Sequence, residues 1–286
     1  MANLKDLRSR ITSVSSTMQI TSAMKMVSAA KLSKAQDAIT AMRPYSEKLS
    51  ELLQNLSATL EEGNESKYAE QREVENVLIV PISSNRGLAG AFNANIIKAT
   101  KKVISEKFSD KNVSLYTLGK KANDILKKDF NVAQHNVEIF DNLDYQNSAV
   151  IAEDIMQAFV AGKYDRVVLV YNSFKNAATQ IAKTEQFLPI VPIEKDDNVS
   201  LDYIFEPSKN EIIEELIPKS LKMQFYKALR DSFASEHGAR MTAMHKATDN
   251  ATELRDSLKL EYNKARQAAI TNEILEIVGG AEALNN

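Results

Sequence analysis

No cysteine occurs anywhere in the 286 residues, which excludes disulfide staples, thiolate chemistry and cysteine-ligated zinc and leaves packing to hold the fold. A reducing compartment fits that usage. Neither sign of charge prevails: 36 basic against 38 acidic residues give a net charge of -2, so the whole-chain field offers nucleic acid nothing, and partners have to be sought locally. No uninterrupted apolar run is long enough to cross a bilayer, and Met1 to Asp6 lack the apolar core of a signal peptide. The expectation is a soluble protein whose membrane association, if any, is borrowed from a partner. Helix breakers are scarce too, with 8 Gly and 6 Pro. No glycine precedes Gly63, and Pro44 is the only proline before Pro81.

What fills the breaker-free opening is a heptad pattern. Leu4, Ile11, Met18, Lys25, Leu32, Ile39, Ser46, Leu53 and Leu60 fall in one column, and Leu7, Val14, Thr21, Ser28, Ala35, Met42, Leu49 and Leu56 in its partner. Apolar residues alternately three and four apart form the seam of a long helix packed on another helix. At ~1.5 Å per residue it would run roughly 75 Å. The seam has a fault where Thr21, Lys25 and Ser28 are polar while Ile20, Met24 and Val27 carry apolar character on a rotated face. Either the packing register shifts locally, or a short stretch faces a different partner.

From Glu61 to Glu75 the pattern gives way to charged and polar residues that read as a solvated linker. Beyond it strands and helices alternate. Strands are expected at Val77–Val80, Val113–Leu118, Val137–Phe140, Arg166–Tyr171 and about Gln180–Val191, with helices at Ala89–Phe108, Lys120–Phe130 and Ser148–Val160. That order argues for a mostly parallel α/β sheet covered by helices. Pro189, Pro192 and Pro207 mark the exit, and Ser208 is a candidate N-cap for a second long helix. Pro218 comes early enough to kink that helix without ending it, and its slimmer stripe comprises Met241, Met244, Ala247, Ala251, Leu254, Leu258, Ala265 and Ala269. The expected architecture is an α/β waist domain plus a long antiparallel two-helix coiled coil formed by the N- and C-terminal helices. Its parts are 1–60 (coiled-coil helix), 61–75 (linker), 76–207 (Rossmann-like α/β domain) and 208–286 (coiled-coil helix).

Catalytic signatures are wanting. Gly87-Leu88-Ala89-Gly90 lacks the lysine of a phosphate loop, Gly119-Lys120-Lys121 lacks the upstream glycine and the hydroxyl, and no G-x-G-x-x-G follows the first strand. His237 and His245 lie eight apart, too far to share a metal, and with His135 they read as surface histidines. The carboxylates Asp249, Glu253, Asp256 and Glu261 interleave with Arg255, Lys259 and Lys264, the pattern of a solvated helix face. Seven basic residues against two acidic ones up to Arg43 surround an apolar seam with no interleaved aromatic, which points to an acidic protein partner over nucleic acid. On these grounds a static coiled-coil adapter with a ligand-binding α/β domain stays open beside a mechanical element.

Four stretches are more specific: Leu4-Lys5-Asp6-Leu7-Arg8-Ser9-Arg10-Ile11, the run from Ile20 to Val27, the turn from Asn85 to Asn93, and Arg266 to Ala281. Together, in order and across essentially the whole chain, they resemble the gamma subunits of F-type ATP synthases. A cysteine often found in the family's glycine turn is replaced here by Ala89, and the thiol-regulated insert is missing, so no redox switching is implied. The resemblance implies a non-catalytic rotary shaft without cofactors. It would lie in a ring of alpha and beta subunits, rest on the membrane rotor c-ring with the epsilon subunit, and sit peripherally on the cytoplasmic face of the bacterial plasma membrane, making no direct membrane insertion and binding no nucleic acid. It implies contacts with the catalytic ring at Met24, Lys25, Arg86, Arg266 and Gln267, and with the rotor and epsilon subunit at Tyr203 and Glu206. On the residues alone, each of these is an exposed helix or loop position.

Overall fold

A computed structural model describes residues 4–58, 67–190 and 209–284. Two long helices bound the described chain, α1 (Leu4–Ala58) and α5 (Lys209–Leu284). Pro44 and Pro218 lie inside them and end neither. The expected Ser208 cap and the link around Pro207 fall outside the described residues. By compactness the chain divides within both helices, into residues 29–240 and a second unit of residues 1–28 and 241–286.

The larger unit is built on five strands: β1 (Asn76–Pro81), β2 (Asn112–Leu118), β3 (Asn131–Asn136), β4 (Arg166–Phe174) and β5 (Gln180–Leu188). Their spatial order is β3-β2-β1-β4-β5, with every pairing parallel except that of β4 with β5. The connecting helices are α2 (Phe92–Lys107), α3 (Lys120–Leu126) and α4 (Tyr145–Val160), the last capped by Asp144, whose carboxylate accepts the Asn147 N–H at 2.7 Å. Strand periodicity sends alternate residues to opposite faces. Val77 and Ile79 of β1 with Val168 and Val170 of β4 pack against Ile96, Ile97, Val103 and Ile104 of α2 and Ala122 and Leu126 of α3. Leu78 and Val80 with Val167, Leu169 and Tyr171 face Ile151, Ile155, Met156 and Phe159 of α4, and also Leu221, Phe225, Ala228 and Leu229 of α5.

That last contact moves a boundary. Residues 208–286 were expected to be coiled-coil helix throughout, yet the stretch of α5 up to Arg240 completes the core of the α/β unit. Phe225 is fully buried and its ring centroid stands 5.9 Å from that of Phe187. Two further expectations change. The third strand is Asn131–Asn136, not Val137–Phe140, where a 3-10 turn (Glu138–Phe140) forms instead. The Asn136 carboxamide oxygen accepts the Ile139 N–H at 3.0 Å and starts that turn. As an edge strand of mixed polarity, β3 offers no apolar run to detect. The end of the supposed linker is also structured: Tyr68 is buried, and Arg72 donates to the Phe159 carbonyl at 3.0 Å while its guanidinium lies over the Phe159 ring.

The second unit is an antiparallel helix pair. Arg8 Nη2 donates to the Tyr262 hydroxyl at 2.8 Å, Thr252 Oγ1 reaches Met18 Sδ at 3.3 Å, and Thr248 Oγ1 donates to Thr21 Oγ1 at 2.8 Å. As the α1 position advances from Arg8 to Met18, its partner retreats by the same number, from Tyr262 to Thr252. Leu7, Met244, Ala251 and Leu258 are buried in this seam, whereas Leu254, expected there, is 46% exposed. Thr252 and Arg255 reach Met18 Sδ across the seam instead, so between Ala251 and Leu258 α5 turns its other flank to α1 and leaves Leu254 outside.

Candidate functional site

The seam fault resolves in favour of a separate outward face. Thr21 and Ser28 are buried and keep their heptad positions, while Ile20 and Val27 are 60% and 58% exposed and Met26 is 65% exposed. There is no register shift. The Thr21 hydroxyl donates back to the Met18 carbonyl and accepts from Thr248, so the polar step in the seam is satisfied. Met24, partly exposed, borders this apolar surface, whereas Lys25, also partly exposed, lies on the other flank of the seam, about 140° round the helix from Ile20.

Continuing the same register, Leu4 stands opposite Arg266. Beyond that point α5 proceeds as a single helix, with no partner helix among the described residues, and residues 266–281 are all exposed. Arg266 and Gln267 open this exposed stretch. Past them Ile270, Ile274 and Ile277 recur on one face at 48%, 54% and 68% exposure. Met24 and Lys25 lie well down the pair from Arg266 and Gln267, because the residues opposite them fall near Met244 to His245. The structure thus creates two surfaces in this unit and does not bring them together.

Arg86 belongs to the α/β unit. It is exposed on the turn Asn85–Gly90, which follows β1 at the carboxyl ends of β1 and β4. Strand order reverses there, the place where open α/β sheets bind ligands. Here the local donors are already engaged. Asn85 Oδ1 accepts from Lys120 N at 3.2 Å, the Ser84 carbonyl from Lys121 N at 3.1 Å, and Ser83 Oγ from Ala122 N at 3.0 Å, so the first amides of α3 have internal partners. Gly119 makes this closure possible. Its φ is +94°, and a Cβ there would stand 2.2 Å from the Ser83 carbonyl oxygen. Arg240 of α5 then covers the turn, donating to the Arg86 carbonyl at 3.2 Å and to the Gly87 carbonyl at 3.3 Å.

Arg240 and its neighbours were not visible as a group in the sequence. Arg240 Nη1 donates to Glu236 Oε1 at 2.6 Å, and both residues are buried. Burial pushes the Glu236 carboxyl upward, with Arg240, Lys31 and Arg86 pulling against it. His237, expected at the surface, is 5% exposed, and burial with Arg240 and Lys31 nearby lowers its pKa to about 3. It is therefore neutral, edge-on to Phe233 at 4.4 Å, with Nε2 unpartnered. His135 and His245 are exposed as expected. The i, i+4 spacing of Glu236 and Arg240 was the one available signal, and it reads equally well as a solvated pair.

Tyr203 and Glu206 lie outside the described residues. Among the described residues no group of His, Asp and Glu could hold a metal ion, and no helix is long and apolar enough to cross a membrane.

The sequence family described as ATP synthase matches residues 3–284. The chain is 73% identical over 285 residues to the ATP synthase gamma chain of Christiangramia forsetii and 67% identical over 286 residues to that of Flavobacterium johnsoniae, covering 100% of both partners in each comparison. Among solved structures it is similar to a chain in the central stalk and c-ring of Tetrahymena thermophila mitochondrial ATP synthase, at 26% identity and TM-score 0.58 over 80% of this chain and 99% of that one. A chain in the OSCP, F1 and c-ring assembly of Euglena gracilis mitochondrial ATP synthase shares the fold at 22% identity and TM-score 0.69, over 98% of this chain and 94% of that one. With its helix pair, five-stranded α/β unit and full-length relatives, this chain belongs to the gamma chain family of F-type ATP synthases.

Proposed function

We infer that the chain is the central shaft of an F-type ATP synthase. It couples proton flow through a membrane rotor to ATP synthesis in a ring of alpha and beta subunits, and is itself non-catalytic. The observation that carries this reading is the exposed apolar face of α5 past Arg266. It presents Ile270, Ile274 and Ile277 to water, an arrangement that calls for a sheath supplied by other chains. A lopsided shaft offers each surrounding site a different surface as it turns, and so shifts the conformational population of each site in sequence.

Within this reading Met24, Lys25, Arg86, Arg266 and Gln267 contact the catalytic ring. Met24 does so from the edge of the exposed Ile20–Val27 face, Lys25 from the other flank of the seam, and Arg266 with Gln267 from the exposed stretch of α5 that they begin, where a guanidinium fork gives orientation-dependent hydrogen bonds. Tyr203 and Glu206 contact the c-ring and the epsilon subunit. On the same reading the chain sits peripherally on the cytoplasmic face of a bacterial plasma membrane. The engaged donors at the β1–β4 crevice speak against the adapter reading, which needs that crevice for a ligand.

Reconstitution of the alpha and beta ring with and without this chain tests the proposal. The expected result is co-purification with the ring and ATP hydrolysis that depends on the chain. A chain that elutes alone and leaves hydrolysis unchanged would overturn it.

A further inference from the structure

We propose that Glu236 and Arg240 are positioning residues, which together preset the turn Asn85–Gly90 in the shape that presents Arg86 to its partner. This rests on the reading of Arg86 as a contact residue and extends it to two buried residues that act through the turn.

The geometry is that of a clamp. The guanidinium of Arg240 places Nη1 on the Glu236 carboxylate at 2.6 Å, and Nε and Nη2 on the two successive carbonyls of Arg86 and Gly87 at 3.2–3.3 Å. A planar fork suits this double duty, which a lysine ammonium could not reproduce. Four residues apart on α5, the carboxylate and guanidinium face the same way. A guanidinium this buried needs a counter-charge to stay, and Glu236 supplies it.

The turn needs holding at this point. Leu88 follows the clamped carbonyls at φ 61°, a left-handed conformation costly for a residue with a side chain, and at 63% exposure burial does little to offset that cost. Such residues persist where the surroundings over-determine them, and they gather at functional positions. Ser84 Oγ adds a third hold, donating to the Arg86 carbonyl at 2.6 Å. Behind the turn, Ala89 and Phe92 pack against Ala239, one residue from Arg240. Arg86 is thus anchored by its backbone while its side chain stays outside.

Hydrogen exchange on the isolated full-length chain measures the positioning directly. Glu236→Gln and Arg240→Lys should each raise exchange of the amides of residues 86–90 by roughly tenfold, with the amides of β1 and β4 unchanged. Unchanged turn exchange, or loss of protection across the whole sheet in both variants, would overturn the proposal. In the reconstituted complex each variant should lower ATP synthesis relative to hydrolysis several-fold, and Arg86→Ala combined with Glu236→Gln should be no worse than Arg86→Ala alone. Additive losses would show that Glu236 acts elsewhere and defeat the inference. A fully coupled Arg86→Ala complex would instead overturn the contact reading of Arg86 while leaving the exchange result standing.

Discussion

Thr21 and Thr248 meet hydroxyl to hydroxyl at 2.8 Å in the middle of an otherwise apolar helix seam. Thr21 donates its own proton to the Met18 carbonyl at 3.1 Å, and the single proton of Thr248 has two acceptors in reach, Thr21 Oγ1 and the Met244 carbonyl of its own helix at 2.8 Å. The pair fills two seam positions with short, branched, fully satisfied side chains and leaves Ile20 and Val27 outside.

Replacing both partners by valine keeps their shape and removes the polar requirement together with the bonds. The double variant Thr21→Val with Thr248→Val should therefore change stability by less than ~1 kcal/mol. Thr21→Leu, which overfills the same site, should cost about 1–3 kcal/mol. Chemical denaturation of the full chain followed by circular dichroism distinguishes the two outcomes.

Phe225 joins α5 to the sheet. It is fully buried against Phe187, and Phe225→Ala should destabilise the α/β unit by about 3–5 kcal/mol through lost burial and the cavity left behind. Exchange at β1 and β4 amides reports that loss, and unchanged protection there would refute the assignment of this helix stretch to the core.

At Gly119 an added methyl group meets both an unfavourable φ and the Ser83 backbone. Gly119→Ala should cost about 3 kcal/mol or more and loosen the start of α3, whereas Gly279→Ala, with nothing within 4 Å of the added group, should stabilise its helix slightly. Thermal melts of the two variants should move in opposite directions.

His237 introduces a pH dependence whose sign follows from its environment. Its folded pKa of about 3 lies below the ordinary histidine value of 6.5, so from pH 6.5 downward the unfolded chain takes up a proton that the folded chain refuses. Stability contributed by the neutral ring is complete above pH 6.5 and falls on acidification, by at most ~1.4 kcal/mol per pH unit, until the folded group also titrates. Glu236 acts oppositely: burial raises its pKa, so the folded state binds its proton first and gains on acidification. His237→Gln should therefore flatten or reverse the loss of stability between pH 6.5 and 4.5. A variant with the wild-type slope would exclude His237 as its source.

Arg266 and Gln267 are exposed on α5, so Arg266→Ala with Gln267→Ala should leave the stability of the chain within ~0.5 kcal/mol. Coupled ATP synthesis in the reconstituted complex should fall by roughly tenfold. Unchanged coupling would count against their contact role.

The two long helices, the strand order up to β2 and the helical character of α2 and α4 were legible because each repeats a local period over several turns or residues. The β3 edge was misread because Asn131–Asn136 has no apolar run, its pairing with β2 being carried by backbone hydrogen bonds that any sequence offers. The seam fault was visible but ambiguous: Thr21 and Ile20 lie next to each other in sequence and point about 100° apart, and composition favoured the wrong one for burial.

Periodicity and breaker placement were enough to establish helices at both chain ends, an alternating α/β unit between them, and the four stretches that resemble the family. They could not say what covers each face. Only tertiary packing decided that residues 221–240 of α5 complete the sheet's core, that His237 and Glu236 are buried while Ile20 and Val27 are not, and that Arg240 holds a turn some 150 residues away. The physical reason is that spacing along a helix records which side chains share a side, whereas burial depends on the neighbour that arrives from a distant part of the chain.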